Sequence, residues 1–149
     1  ELTNALHLTK PDIDFNDFRW ELFSPTEANI LVVLTAAKYM TGKNLEAIRI
    51  GEETLFALER NHSRLSDYKV LQINLAHNLS QILQDEGRYQ EALLYAKKAE
   101  NLSICGTEQF LLPEIEFSIV QILNNMKKRQ ESRMRMEALI PYIRLIGKK

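Results

Sequence analysis

Three carboxamides in the middle of the chain, Asn74, Asn78 and Gln81, recur at i, i+4 and i+7, which sets them on one face of a helix. Each amide carries a donor and an acceptor, so a row of them matches the N–H and C=O groups of an extended peptide backbone. One such hydrogen bond contributes only about 0.5–1.5 kcal/mol net, so several must act together. His77 and Gln84 lie beside the row, and Gln121, Asn124 and Asn125 extend it further along. Tyr39 and Phe117 offer apolar contact, and Asn29 a further amide. The chemistry is peptide or protein binding; the alternative is a solvated polar surface with no ligand.

Other chemistries find no such grouping. His7, His62 and His77 are far apart and lack Cys or acidic neighbours at ligand spacing, so no metal is expected. There is no glycine-rich phosphate loop and no Ser, His and Asp set in a recognisable context, so neither cofactor nor catalytic residue is expected, and the chain reads as no enzyme. With 19 basic and 20 acidic residues it has no broad positive field for a phosphate backbone. Cys105 is the single cysteine, which excludes an internal disulfide, suits a reducing cytoplasm and reads as a small buried residue near a helix end. No run approaches the roughly 20 apolar residues that span a bilayer, and the start lacks a signal-peptide layout, so no membrane partner is expected and the location is read as cytoplasmic.

These side chains need helices to hold them. Of 149 residues 45% are hydrophobic, and 4 prolines and 5 glycines leave helix as the favoured state nearly throughout. Residues 1–23 read as the tail of a preceding helix (Leu2, Leu6, Leu8) and a connecting segment around Pro11, with Trp20 and Phe23 expected as a lid over the first repeat. The chain is therefore expected to be a fragment of something longer.

Ser24, Pro25 and Glu27 form a capping-box signal for a helix that closes at Gly42, and Asn44 opens a second one ending near Ser63. From Ser66 the pattern returns: Leu75, Leu79, Ile82 and Leu83, a stop at Gly87, then Ala92, Ala96 and Ala99 as far as Cys105 and Gly106. A third unit has a first helix from about Glu108 to Asn125, a turn at 126–129, and a last helix towards Leu145 that Pro141 should kink or end. Gly42 and Gly87 stand 45 residues apart, as do Ala47 and Ala92, and Ser132 follows Ala92 by 40. The predicted fold is all-α, three stacked antiparallel hairpins over about 24–63, 64–106 and 107–149, sharing one continuous core.

The run Lys127, Lys128, Arg129, Arg133 and Arg135 reads as a solvated face, or as a contact for an acidic partner. Ile140, Tyr142, Ile143, Leu145 and Ile146 form an apolar cluster that either caps the stack or pairs two subunits.

The stretch NLAHNLSQILQDEGRYQEALLYAKKAENL resembles a tetratricopeptide repeat: Leu79 and Ser80 stand for its Leu-small pair, Gly87, Tyr89, Glu91 and Ala92 for its turn and second-helix start, and Ala96 and Ala99 for its small inward residues. The first unit has Thr35 at the small position, and the third has Lys127 and Ser132 in the Gly and Ala places. The right-handed superhelix of that family is what this resemblance implies.

Nearly the whole chain, through LHLTKPDIDFND, LFSPTEANIL and LLPEIEFSIVQILNNM, also resembles the C-terminal repeat region of Xre-type helix-turn-helix transcriptional regulators, the group of the Rgg/PlcR/PrgX-like peptide sensors. That implies a bacterial regulatory domain, often a homodimer, whose concave face takes a short peptide and whose DNA contacts belong to a domain outside this chain. The rival expectation is an interaction or oligomerisation scaffold without a small ligand.

Overall fold

Ser24 starts the first long helix as its neighbours predict. Its hydroxyl accepts from the Glu27 N–H at 3.3 Å, Glu27 Oε2 accepts from the Ser24 N–H at 2.8 Å, and Pro25 occupies the first turn, where a missing N–H costs nothing. The computed structural model describes residues 1–62, 66–105 and 109–146, and every regular element among them is helical. α1 (Leu2–Thr9) precedes the connecting segment. Then come α2 (Pro25–Met40), α3 (Asn44–His62), α4 (Ser66–Asp85), α5 (Tyr89–Ile104), α6 (Leu112–Asn125) and α7 (Arg129–Ile146).

The turns joining α2 to α3, α4 to α5 and α6 to α7 are built alike. Lys43 N–H reaches Lys38 C=O, Arg88 N–H reaches Leu83 C=O, and Lys128 N–H reaches Leu123 C=O, each at 2.9 Å. This closure needs a left-handed residue just before the donor, and Gly42 (φ 74°), Gly87 (φ 74°) and Lys127 (φ 60°) supply it. Glycine adopts that conformation freely, whereas Lys127 is strained by about 1–2 kcal/mol. Lys127→Gly should therefore stabilise the protein by about 0.5–1 kcal/mol in urea unfolding, the relief being partly offset by a freer unfolded chain. Gly87→Ala should destabilise it by a similar amount, because an added Cβ meets no atom within 4 Å and the cost is the backbone's alone.

Consecutive helices pack on one another from α1 to α7, the sequential arrangement of a helical-repeat protein. α4 also packs on both α2 and α6, so the first helices of the three pairs form one layer. The backbones of α3, α5 and α7 stand apart in the second layer. Long polar side chains bridge them: Tyr95 to Glu52 at 2.9 Å, Lys98 to Glu59 at 2.6 Å, and Arg135 to Glu100 at 2.8 Å.

The larger core is centred on α4, whose Leu75, Leu79, Ile82 and Leu83 meet Ala92, Ala96 and Ala99 of α5 and Ile115 and Ile119 of α6. Small residues allow the close approach. Ala47, Ala92 and Ser132 occupy the same place in the three second helices and are all buried. Ser132 is satisfied there by donating to the Val120 carbonyl at 3.1 Å, which answers the polarity that the alanine-to-serine change introduces. Thr35, fully buried, donates to the Leu31 carbonyl at 2.9 Å in the same way. Gly51 carries no signal in the sequence pattern, yet a Cβ there would stand 2.8 Å from Leu79 Cδ2 and 3.2 Å from Thr35 Cγ2, so α2, α3 and α4 converge on it.

A second core holds the connecting segment on α2 and α3. Phe23 is buried as expected, but its partner is Phe18, fully buried and edge-on at 5.9 Å, and not Trp20. Trp20 remains 59% exposed, resting on the Phe56 ring at 5.5 Å beneath the Arg60 guanidinium. The segment has no helical period to rank its aromatics, and its inward direction is set by backbone anchors: Phe18 N–H donates to Glu53 at 3.3 Å, and Arg49 donates to the Phe15 carbonyl.

Three further expectations change. Cys105 is exposed, because it is the residue capping α5 and not part of its inward face. The first helix of the third unit begins at Leu112, after a 3-10 turn at Gln109–Leu111, with Pro113 in its opening turn; Glu108 and Gly106 lie outside the described residues. α7 continues through Pro141 to Ile146. The proline is exposed, as is Glu137, whose carbonyl loses its partner, so water can satisfy the freed group. Ser63 and the side chains of Tyr142, Leu145 and Ile146 also lie outside the described part of the molecule, while Ile140 and Ile143 are partly exposed.

Candidate functional site

The outer face of the first-helix layer carries the amides. On α4, Asn74, His77, Asn78 and Gln84 are half-buried and Gln81 is exposed; on α6, Phe117, Gln121, Asn124 and Asn125 are exposed. Four of these residues come together. His77, Gln81, Phe117 and Gln121 line one open cavity of about 430 Å³ with Pro113, Glu114, Ser118 and, from α7, Ile143. Asn74, Asn78, Gln84 and Asn125 do not line it, and Asn124 turns instead into a groove of about 260 Å³ between α6 and α7 beside Arg133 and Ser132.

On α2, Asn29 is exposed and Tyr39 half-buried. The Tyr39 hydroxyl is spent on the Asp85 carboxylate, tying the end of α2 to the end of α4, and Asn44 at the start of α3 donates to Glu86 just beyond α4 at 2.6 Å. Burying and pairing the Tyr39 hydroxyl with a carboxylate also raises its pKa, the hydrogen bond to Asp85 being the larger cause.

His77 joins the two walls of the cavity, with Nε2 2.9 Å from Ser118 Oγ and 3.5 Å from Gln81 Nε2. The Ser118 hydroxyl can serve either tautomer, donating to Nε2 when the ring proton is on Nδ1 and accepting from it otherwise. Burial lowers the His77 pKa below its ordinary 6.5, against the opposing pull of Glu114 across the cavity. A histidine that folding keeps neutral contributes stability that is complete above its unfolded pKa and is lost as pH falls through that value. The thermal midpoint of the wild type should therefore drop more between pH 7.5 and 5.0 than that of His77→Gln. Carboxylates outside the cavity titrate alike in both proteins and cancel in the comparison.

Sequence reasoning passed over Ile143 as part of a terminal cluster, and Pro113 entirely. Ile143 enters the wall because α7 folds back along α6, as the hairpin pattern predicts, which brings the later turns of α7 beside the start of α6. The basic run divides: Arg135 bridges Glu100 of α5 and Glu116 of α6, each at 2.8 Å, and Arg133 pairs with Glu137 at 2.8 Å.

A larger cavity of about 640 Å³ opens between the connecting segment, α3 and α5, away from all the amides of α4 and α6. Its charged groups are partnered, Arg19 by Asp17 just outside the lining at 2.9 Å and the others within it. Arg49 meets Glu53 at 3.3 Å, Lys98 meets Glu59, and Tyr95, whose hydroxyl pKa is raised by burial and then by Glu52, donates to Glu52. The last two pairs join α5 to α3, and together the three occupy charges that a ligand would need.

Among the described residues no group of His, Cys, Asp or Glu is arranged to hold a metal ion, and no helix is long and apolar enough to cross a membrane. No protein-family model matches the sequence, and no curated protein matches it.

Proposed function

We propose that this chain is a tetratricopeptide-like domain that binds an extended peptide, or the extended segment of a protein partner, on a concave face made by α2, α4 and α6. The observation that carries this reading is the meeting of His77 and Gln81 of α4 with Phe117 and Gln121 of α6 around one cavity. Amides from two consecutive hairpins then address one backbone, and Phe117 covers a side chain. Concavity is supported by the layers: the first helices touch while the backbones of the second helices stand apart, which bends a stack towards the first-helix side. The resemblance to Xre-type regulators adds the role, a cytoplasmic regulatory domain that acts on DNA through a separate domain, and as a homodimer. The reading involves no catalysis and no cofactor.

The test is panning of a random octapeptide library on the chain, with affinities of enriched peptides measured for the wild type, Gln81→Ala and Gln121→Ala, the two amides that line the cavity. Loss of one or two backbone hydrogen bonds should weaken binding about tenfold while the thermal midpoint stays within a degree or so. Enrichment of no peptide, or unchanged affinities in both variants, would favour the scaffold reading, for which the exposed Met134, Ile140 and Ile143 of α7 are the natural surface. Sedimentation of Ile140→Ser would then report on self-association.

A further inference from the structure

Among the described residues, Glu114 is the one charged residue lining the α4–α6 cavity apart from the titratable His77, and it forms no ion pair with any of them. It stands in the first turn of α6, where the helix dipole alone accounts for an acid. The dipole does not account for what surrounds it. Phe117 lies at i+3 and Gln121 at i+7, so carboxylate, ring and amide share one stripe of α6. Phe117 is 48% exposed and Ile143 49% exposed, on the same cavity.

From this juxtaposition we infer that the cavity selects a peptide carrying a lysine or arginine next to an apolar residue, the cation seated between the Glu114 carboxylate and the Phe117 ring and the apolar side chain on Ile143. The inference rests on the peptide-binding reading and adds the chemistry of the ligand. A cation there gains an uncompensated carboxylate and the negative face of an aromatic ring, two attractions that act together. An acidic ligand would meet Glu114 with no lysine or arginine among the described residues of the lining to receive it. Gln81 and Gln121 remain for the peptide backbone, one on each wall.

The experiment uses the same random octapeptide library against the whole chain, as wild type, Glu114→Gln and Glu114→Lys. The wild-type pool should be enriched in Lys or Arg beside an aliphatic or aromatic residue, Glu114→Gln should lose the basic bias while still binding peptides, and Glu114→Lys should turn the bias acidic. For an enriched peptide, replacing its Lys by Gln should weaken binding about three- to tenfold, and the difference should shrink in high salt. A wild-type pool that binds without basic bias overturns this inference and leaves the peptide reading standing; a pool with no enrichment overturns both. The wild-type pool decides the matter even where a variant fails to fold.

Discussion

Leu79→Ala is expected to lower the unfolding free energy by about 2–5 kcal/mol, because the side chain is fully buried at the centre of the larger core and its loss leaves a cavity that rigid neighbours fill poorly. The location makes a sharper statement available. Leu79 Cδ2 is the atom that a Cβ on Gly51 would strike, at 2.8 Å. In the wild type, Gly51→Ala therefore crowds three helices by about 1–3 kcal/mol against a helix-propensity gain of about 1 kcal/mol. In the Leu79→Ala background the nearest atom is gone and only Thr35 Cγ2 at 3.2 Å remains close, so the same glycine replacement should cost less by about 1 kcal/mol or more. Urea unfolding of the four proteins gives the coupling as a double-mutant cycle. If the alanine at 51 costs the same in both backgrounds, α3 and α4 do not meet at this glycine.

Arg135→Ala should be the next most damaging change. The guanidinium lies between Glu100 and Glu116, at 2.8 Å from each, and its side chain is 26% exposed against 14% and 20% for the two acids. Breaking a fully buried pair costs about 3–5 kcal/mol and an exposed one about 0–1 kcal/mol, so this partly buried set should cost about 2–3 kcal/mol near neutral pH.

Its pH dependence is set by the acids. Burial raises Glu116, reinforced by the hydrogen bond with Glu100. Burial also pushes Glu100 upwards, but the bonds from Glu116 and Arg135 outweigh it and hold that carboxyl below its ordinary value. Without the arginine both carboxyls rise, and a raised folded-state pKa stabilises below the unfolded value and ceases to do so as pH increases. The deficit of Arg135→Ala relative to wild type should therefore be largest at pH 8 and shrink towards pH 4.5. A deficit independent of pH would mean that Arg135 acts through its aliphatic stem alone.

The architecture was readable wherever a local rule was enough. Ser24 and Glu27 announced the start of α2, and Gly42 and Gly87 marked two turns by the conformation that only glycine adopts cheaply. The register of the repeat even placed the third left-handed residue, Lys127, against its own preference. What escaped was set by partners distant in sequence. Gly51 sits inside a helix, where by pattern alone it looks like a weak helix former, and its purpose appears only when Leu79 and Thr35 arrive from other helices.

Phe18 and Trp20 are two residues apart in a segment without periodicity, and backbone hydrogen bonds to Glu53 and Arg49 chose between them. The amide row on α4 was legible as a stripe, but which of its members share a cavity depended on where α6 and α7 came to rest. Asn124, one turn beyond Gln121, was thereby sent to a different groove.

Trp20 is the single tryptophan of the chain, and it rests on Phe56 beneath Arg60 at the end opposite to α6 and α7. Its emission is therefore a built-in lamp for the attachment of the connecting segment to α3, blind to direct quenching at the α4–α6 cavity, which contains no indole. A change in that light when a tryptophan-free peptide occupies the α4–α6 cavity is relayed through α2 and α3, so an ordinary fluorimeter can tell a ligand that merely docks there from one whose arrival is felt at the far end of the molecule.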